Sequence, residues 1–277
     1  MTVFQSPVFA SAVFSGAVTG VARTGLDVLA EAAGWWEADD ASNTHDGSTF
    51  SQLTDLSGNG NDFVQATAGN QPARLDSSGI ISAEFDGTPS SGDDVMVIAS
   101  PTADLANHSN AGGTKIWVAR PDGRGGGGFG RIWAVGDTFD GEWLDTGGAP
   151  HTEIFPRWNA DMSGTNMNCN PDTTRWANGT KLLSEFRYDE SSNDTSTIVA
   201  GINGVAFTTA GDLVASTPTG TPVDHSASVF NLGNNTTGNR AFDGGIYALA
   251  FWPTILSDAD MTLVREHWAS KYGVTLP

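Results

Sequence analysis

Cysteine is almost absent: Cys169 is the only one in 277 residues. No disulfide can close within the chain, and no Cys-rich zinc site can be built. Basic residues are also scarce, with 13 Lys and Arg against 32 Asp and Glu and a formal net charge of −19. So acidic a chain repels phosphate backbones and anionic headgroups, so no nucleic acid is expected as a partner, nor an anionic membrane surface. The charge keeps the protein dispersed and suits salty surroundings, where screening weakens self-repulsion. No run approaches the roughly 20 apolar residues of a membrane span, so no membrane insertion is expected. The opening stretch, MTVFQSPVFASAVFSGAVTGVARTG, has no Lys or Arg before Arg23, so the positive start of a secretory signal is missing.

Catalytic motifs are equally sparse. The five histidines, His45, His108, His151, His225 and His267, are scattered without zinc spacing. No Gly-x-Ser-x-Gly elbow occurs. The glycine-rich run from Gly123 to Gly130 lacks the Lys-Ser/Thr of a phosphate loop and reads as a loop or hairpin tip.

What is present is a change of texture at Trp35. Residues 1–34 are rich in Ala, Val, Phe and Ser, and read as an arm ending in a short helix, with Asp27 able to cap it and Gly34 to end it. Phe4, Phe9 and Phe14 would make a free arm adhesive, so it is expected to dock on its own domain, on a second copy or on another protein. From 35 to 277 short apolar runs alternate with Gly, Asn and Asp turns, as one domain. In Ile80–Asp86, residues Ile81, Ala83 and Phe85 share a face; in Lys181–Tyr188, Leu182, Ser184, Phe186 and Tyr188 do. Asn203-Gly204 is a type I′ hairpin signal. Many strands without alternating helices imply a sandwich or barrel. One helix is expected near the end: Ser257 with Asp260 three residues on resembles a capping box, Met261, Val264 and Trp268 share a face, and Gly273 supplies the stop.

The least regular segment is 137–180, which reads as long loops. It holds Trp143, Trp158 and Trp176, whose faces could stack on sugar rings while Arg157, Asn159, Asp161 and Asn166 bond hydroxyls. The alternative is that the tryptophans anchor the loops to the sandwich. The loop Asp55–Asp62 crowds oxygens like half a calcium loop, but position 66 is Ala where a bidentate Glu is needed, so a turn is expected. Asp86, Asp93 and Asp94 form a second oxygen cluster. No cofactor is expected; calcium at that cluster is the alternative left open.

Three stretches together resemble the concanavalin A-like lectin/glucanase superfamily in its laminin-G-like form. They are Trp35–Ser42 with Leu53–Asp62; Phe85-Asp86-Gly87 with Asp93-Asp94; and Gly244–Trp252 with Leu256–Asp260 and Ala269–Gly273. The resemblance implies an all-β, antiparallel two-sheet jelly-roll sandwich with a short C-terminal helix. It does not imply an activity, because the fold carries lectins, glycosidases, adhesion modules and virion parts. Glycosidases of the superfamily carry paired carboxylates at alternate strand positions. Glu84-Phe85-Asp86 is the nearest fragment, and its second Glu is missing. The expectation is therefore a non-enzymatic structural or adhesion protein of a bacteriophage virion (head decoration, tail or fibre). It would be assembled in the bacterial cytoplasm and displayed on the extracellular particle. The arm would hold it to other virion proteins or to copies of itself, and surface glycans are candidate ligands. A free carbohydrate-binding lectin is the alternative, and a glycoside hydrolase the third reading.

Overall fold

The computed structural model describes residues 22–88, 94–107, 112–123, 125–135, 140–145, 153–157, 167–169, 177–188, 199–206, 213–215 and 225–277, with 140–145, 153–157, 167–169 and 213–215 described by backbone. Two sheets face each other across an apolar core, and every strand pairing among the described residues is antiparallel. The first sheet runs Val205–Ala206, Val199–Ile202, Leu182–Tyr188, Gly113–Pro121, Asp243–Trp252, Ile80–Asp86, Ala73–Ser77. Asp243–Trp252 lies in its middle. Gly113–Pro121 flanks one side, while the other is shared by Ile80–Asp86, opposite Asp243–Ile246, and Gly34–Glu37, opposite Ala248–Phe251. The second sheet runs Leu213–Ala215, Met167–Cys169, Glu153–Arg157, Asp140–Asp145, Phe129–Val135, Phe230–Leu232, Met96–Ile98, Phe63–Val64, Phe50–Leu53, Thr44–His45. The chain is thus an all-β sandwich with a C-terminal helix.

Alternation sorts the side chains into two cores. In Gly113–Pro121, Trp117 and Ala119 enter the space between the sheets, while Ile116 and Val118 face the helices. Ala83, Phe85, Leu182 and Phe186 join the inter-sheet core, as their two-residue rhythm predicts. The register against Gly113–Pro121 slips between Ile246 and Ala248. Tyr247 and Ala248 consequently both belong to the helix-side cluster, while Ile246 and Leu249 lie between the sheets. Trp36, Phe63, Trp133, Phe230 and Phe251 form the aromatic centre of the inter-sheet core. Trp133 stacks on Phe230 at 5.5 Å and meets Phe251 edge-on at 5.1 Å. Each such side chain, fully buried, contributes about 1.5–3 kcal/mol.

The hairpin turns follow local chemistry. Asn203 and Gly204 take φ of 51° and 78° between paired Ile202 and Val205, as a type I′ turn requires. The loop Asp55–Asp62 is a turn as well. One Asp55 oxygen accepts from the backbone N–H of Trp35 and Ser57, the other from that of Asn61, and Asp62 accepts from that of Asp55.

Three α-helices are described: α1 (Gly25–Leu29), α2 (Ala103–Ala106) and α3 (Asp258–Tyr272). α3 begins as read from the sequence. Ser257 accepts from the Asp260 N–H, and Gly273 ends the helix in the left-handed region at φ 69°. α1 begins earlier than expected, with Thr24 as its cap. Asp27 is the third helical residue, and its carboxylate reaches back to the Thr24 N–H in a reciprocal box. α1 packs on α3 so closely that a Cβ on Gly25 would lie 2.6 Å from the Leu263 carbonyl oxygen. Gly34 does not end α1 but opens the strand that pairs with Asp243–Trp252. Val28 and Leu29 are fully buried, so residues 25–34 are part of the folded body.

The segment 137–180 also differs from expectation. It is not loop throughout, because Asp140–Asp145, Glu153–Arg157 and Met167–Cys169 extend the second sheet. Gly141 and Pro156 hide the strand rhythm: glycine and proline read as breakers, yet Pro156 pairs opposite Glu142.

Candidate functional site

Helices cover the outer side of the first sheet, where Val28, Leu29, Met261, Val264 and Trp268 pack on Ile116, Val118 and Ala250. The outer side of the second sheet carries no described helix cluster, and its register shows what meets there. One row across eight strands runs Thr44, Gln52, Val64, Val97, Asn231, Ala134, Gly141, Arg157. Their chain neighbours Leu53, Phe63, Met96, Ile98, Phe230, Leu232, Trp133 and Val135 are in the inter-sheet core, so this row takes the opposite face. Val64 is 44% exposed, whereas Asn231 and Ala134 are buried, so the middle of the face is covered and its end near Val64 is open.

Beyond Ala134 the register shifts between Glu142 and Trp143, leaving Ile132 as the extra residue, and Ile132 joins Trp133 in the core. The bulge puts Arg131 opposite Trp143. Trp143 pairs on its other side with Phe155, and Gly141 with Arg157. Trp143 and Arg157, singled out from sequence as parts of loops, thus stand on adjacent strands in neighbouring rows. Phe129, Asp145 and Glu153 form the next row. Sequence reasoning missed Arg131 and Phe155. The signal was the hidden strand pairing, since Arg131 is distant in sequence from the segment that holds the tryptophans.

A polar loop borders these rows. The buried Asn234 carboxamide oxygen accepts from the N–H groups of Asn235 and Arg240 at 2.8 and 3.0 Å. The Arg131 N–H donates to the Arg240 carbonyl at 2.8 Å. Asn231 donates from its side-chain amide to the Thr236 hydroxyl at 3.1 Å. Across the core, the buried Lys115 ammonium lies 4.4 Å from the Trp133 ring centroid and 5.4 Å from that of Phe186.

The other candidates separate. Trp158, Asn159, Asp161, Asn166 and Trp176 lie outside the described residues, as do Asp93 and the arm residues Phe4, Phe9 and Phe14. Asp86 accepts from the Thr88 N–H at 2.9 Å in a turn, and Asp94 follows after the undescribed residues 89–93. Among the described residues no three metal-ligating side chains converge. Glu84, the one glutamate of the glycosidase-like fragment, is held by the Ser82 hydroxyl and by Arg120, 2.7 Å away. Hydrogen bonding to Asp122 raises the Arg120 pKa, with the Glu84 charge adding to it, so the guanidinium stays charged and pins that carboxylate.

No family model and no curated protein matches this sequence. Solved structures align with it. Domain 4 of AbnA, a GH43 extracellular arabinanase from Geobacillus stearothermophilus solved with arabinotriose, aligns with a TM-score of 0.52 at 14% identity, over 84% of this chain and 97% of that one. A Trypanosoma rangeli sialidase in complex with 2,3-difluorosialic acid aligns with a TM-score of 0.52 at 12% identity, over 90% of this chain and 34% of that one. A tryptophan-to-alanine mutant of HCR D/C VPI 5995 aligns with a TM-score of 0.56 at 10% identity, over 87% and 53%. The chain therefore spans nearly all of the arabinanase domain but about a third of the sialidase chain. At these identities the likeness establishes a shared β-sandwich fold.

Proposed function

We propose that this protein is a non-enzymatic carbohydrate-binding module whose ligand lies on the outer face of the second sheet, around Trp143. The observation that carries the reading is the register that gathers Trp143, Phe155 and Arg157 in two neighbouring rows. Aromatic side chains offer the apolar side of a sugar ring a surface, and a guanidinium group suits its hydroxyls. The shared sandwich fold supports it, since the arabinanase domain with that fold was solved with arabinotriose. The non-enzymatic part is supported by Glu84, whose carboxylate is committed to Arg120. The test is a glycan array followed by titration calorimetry on the bound glycan. Trp143→Ala is expected to weaken binding at least tenfold, about 1.4 kcal/mol, with an unchanged melting temperature. Retained affinity in that variant overturns the placement of the site.

The module is proposed to be carried on a bacteriophage virion, as a head, tail or fibre component. Residues 1–21 would hold it there through Phe4, Phe9 and Phe14. The apolar composition of that segment and the laminin-G-like resemblance support this reading. A chain lacking residues 1–21 is expected to fold but to fail to join particles, and undiminished incorporation overturns the assignment. The truncation stops there because Val28, Leu29 and Gly34–Glu37 belong to the folded body.

A further inference from the structure

Asparagine followed by glycine is a chemical weak point, because no side chain shields the next backbone nitrogen from the asparagine carboxamide. The chain has three such pairs, Asn59-Gly60, Asn178-Gly179 and Asn203-Gly204, and all three are described. They differ in how the asparagine is held. The Asn59 side-chain amide donates to the Ala32 and Ala33 carbonyls at 3.0 and 3.3 Å and to the Ser57 hydroxyl at 3.1 Å. The Asn203 side-chain oxygen accepts from the Leu183 N–H at 2.8 Å, and its backbone N–H donates to the Leu183 carbonyl at 2.8 Å. Leu183 is fully buried, so that turn is tied to the body of the first sheet. Asn178 is different. It lies in an exposed turn, residues 177–180, and its carboxamide makes no hydrogen bond among the described residues. The turn is closed by the Thr180 N–H on the Ala177 carbonyl at 3.0 Å and docked by the Gly179 N–H on the Pro121 carbonyl at 2.8 Å.

We propose that Asn178 is a site of spontaneous deamidation, and that the fold shields Asn59 and Asn203 from the same reaction. The Gly179 nitrogen attacks the side-chain carbonyl carbon of Asn178 and gives up its proton, and ammonia leaves. Water then opens the cyclic imide on either side, to aspartate or isoaspartate. The sum is asparagine and water giving the acid and ammonia, so no other reactant is needed. At Asn178 one bond has to open first, from Gly179 to Pro121. At Asn203 two bonds hold the asparagine to Leu183, and at Asn59 three hold the carboxamide. Each such bond slows the reaction by about two- to tenfold. The product adds a negative charge to a turn that already borders an acid, since a Cβ on Gly179 would lie 4.0 Å from an Asp122 carboxylate oxygen. Isoaspartate also lengthens the backbone by one carbon, which breaks the spacing that closes the turn.

The experiment holds the full chain warm in mildly alkaline buffer for some weeks. Samples are digested, each asparagine peptide is followed by mass spectrometry, and isoaspartate is read by enzymatic methylation. Asn178 is expected to convert about tenfold faster than Asn59 and Asn203. In chain unfolded by urea the three are expected to convert at similar rates. Asn178→Gln is expected to melt like the wild type and to lose the first acidic variant that ion exchange resolves. Asn59 or Asn203 converting as fast as Asn178 in the folded chain overturns the proposal, as does an Asn178 that outlasts them. A lead for Asn178 that persists undiminished in urea overturns it too, because the fold would then not be the cause.

Discussion

Replacing Glu37 by alanine should destabilise the fold out of proportion to the size of the side chain. Glu37 is 3% exposed, and one of its oxygens accepts from two indoles, Trp35 at 3.0 Å and Trp268 at 2.8 Å. The other oxygen is bound by the Lys271 ammonium. Trp268 is fully buried, so its N–H would lose its partner without access to water, at about 1–3 kcal/mol. Trp35 is half-buried and can turn to solvent, so it adds little. Lys271 keeps Asp39 at 3.0 Å, and its side chain is 31% exposed, so solvent screens the lost ion pair and limits its share to about 1 kcal/mol. The sum is about 3 kcal/mol, or a fall of roughly 6–12 °C in the melting temperature of a domain this large. Glu37→Gln keeps an acceptor for the indoles and should cost about 1 kcal/mol. Urea unfolding and differential scanning calorimetry of the two variants give the comparison. A Glu37→Ala protein melting within about 2 °C of the wild type would falsify the view that this carboxylate clamps α3 to the first strand.

Gly233→Ala should be at least as damaging, about 3 kcal/mol or more. Gly233 takes φ 79°, and an added Cβ would lie 2.0 Å from a ring carbon of Phe85, so strain and overlap combine; chemical denaturation measures it. Asp243 carries a raised carboxyl pKa because of burial first, then the neighbouring charges of Asp122 and Asp86. A carboxyl whose folded pKa exceeds its unfolded value binds its proton more tightly in the fold, so stability rises as pH falls through the raised value. Asp243→Asn is therefore expected to raise the melting temperature near pH 7, with an advantage that shrinks as the pH approaches the ordinary aspartate range. Thermal scans at both ends of that range decide it, and an advantage that grows on acidification refutes the assignment.

How much of this was legible in the sequence depends on how local the cause was. Ser257, Asp260 and Gly273 act within one helix, and Asn203-Gly204 acts within one turn, so each could be read directly. The strands around Phe85 and Phe186 showed themselves because their apolar residues alternate, with Ala83 and Phe85, and Leu182 and Phe186, entering the inter-sheet core. Ala73–Ser77 was hidden for the opposite reason: none of its residues is buried, so no apolar alternation marks it. Thr24 was overlooked because Asp27 is itself a good cap. Only the reciprocal bond, with Asp27 reaching back to the Thr24 N–H, tells the two apart. The rows that place Trp143 beside Arg131 and Phe155 depend on pairing across strands and on a bulge, neither of which leaves a local mark.

The strand inside the first sheet, Asp243–Trp252, is also the last of the described strands in sequence order. Its neighbours Gly34–Glu37, Ile80–Asp86 and Gly113–Pro121 all emerge from the ribosome long before it. Until it arrives, Gly34–Glu37 has no described strand partner, and Ile80–Asp86 and Gly113–Pro121 each lack one of theirs, so part of their apolar faces waits unprotected. The body therefore cannot close before Trp252 has been made. A stop codon anywhere before Asp243 should leave an aggregate rather than a shortened working protein.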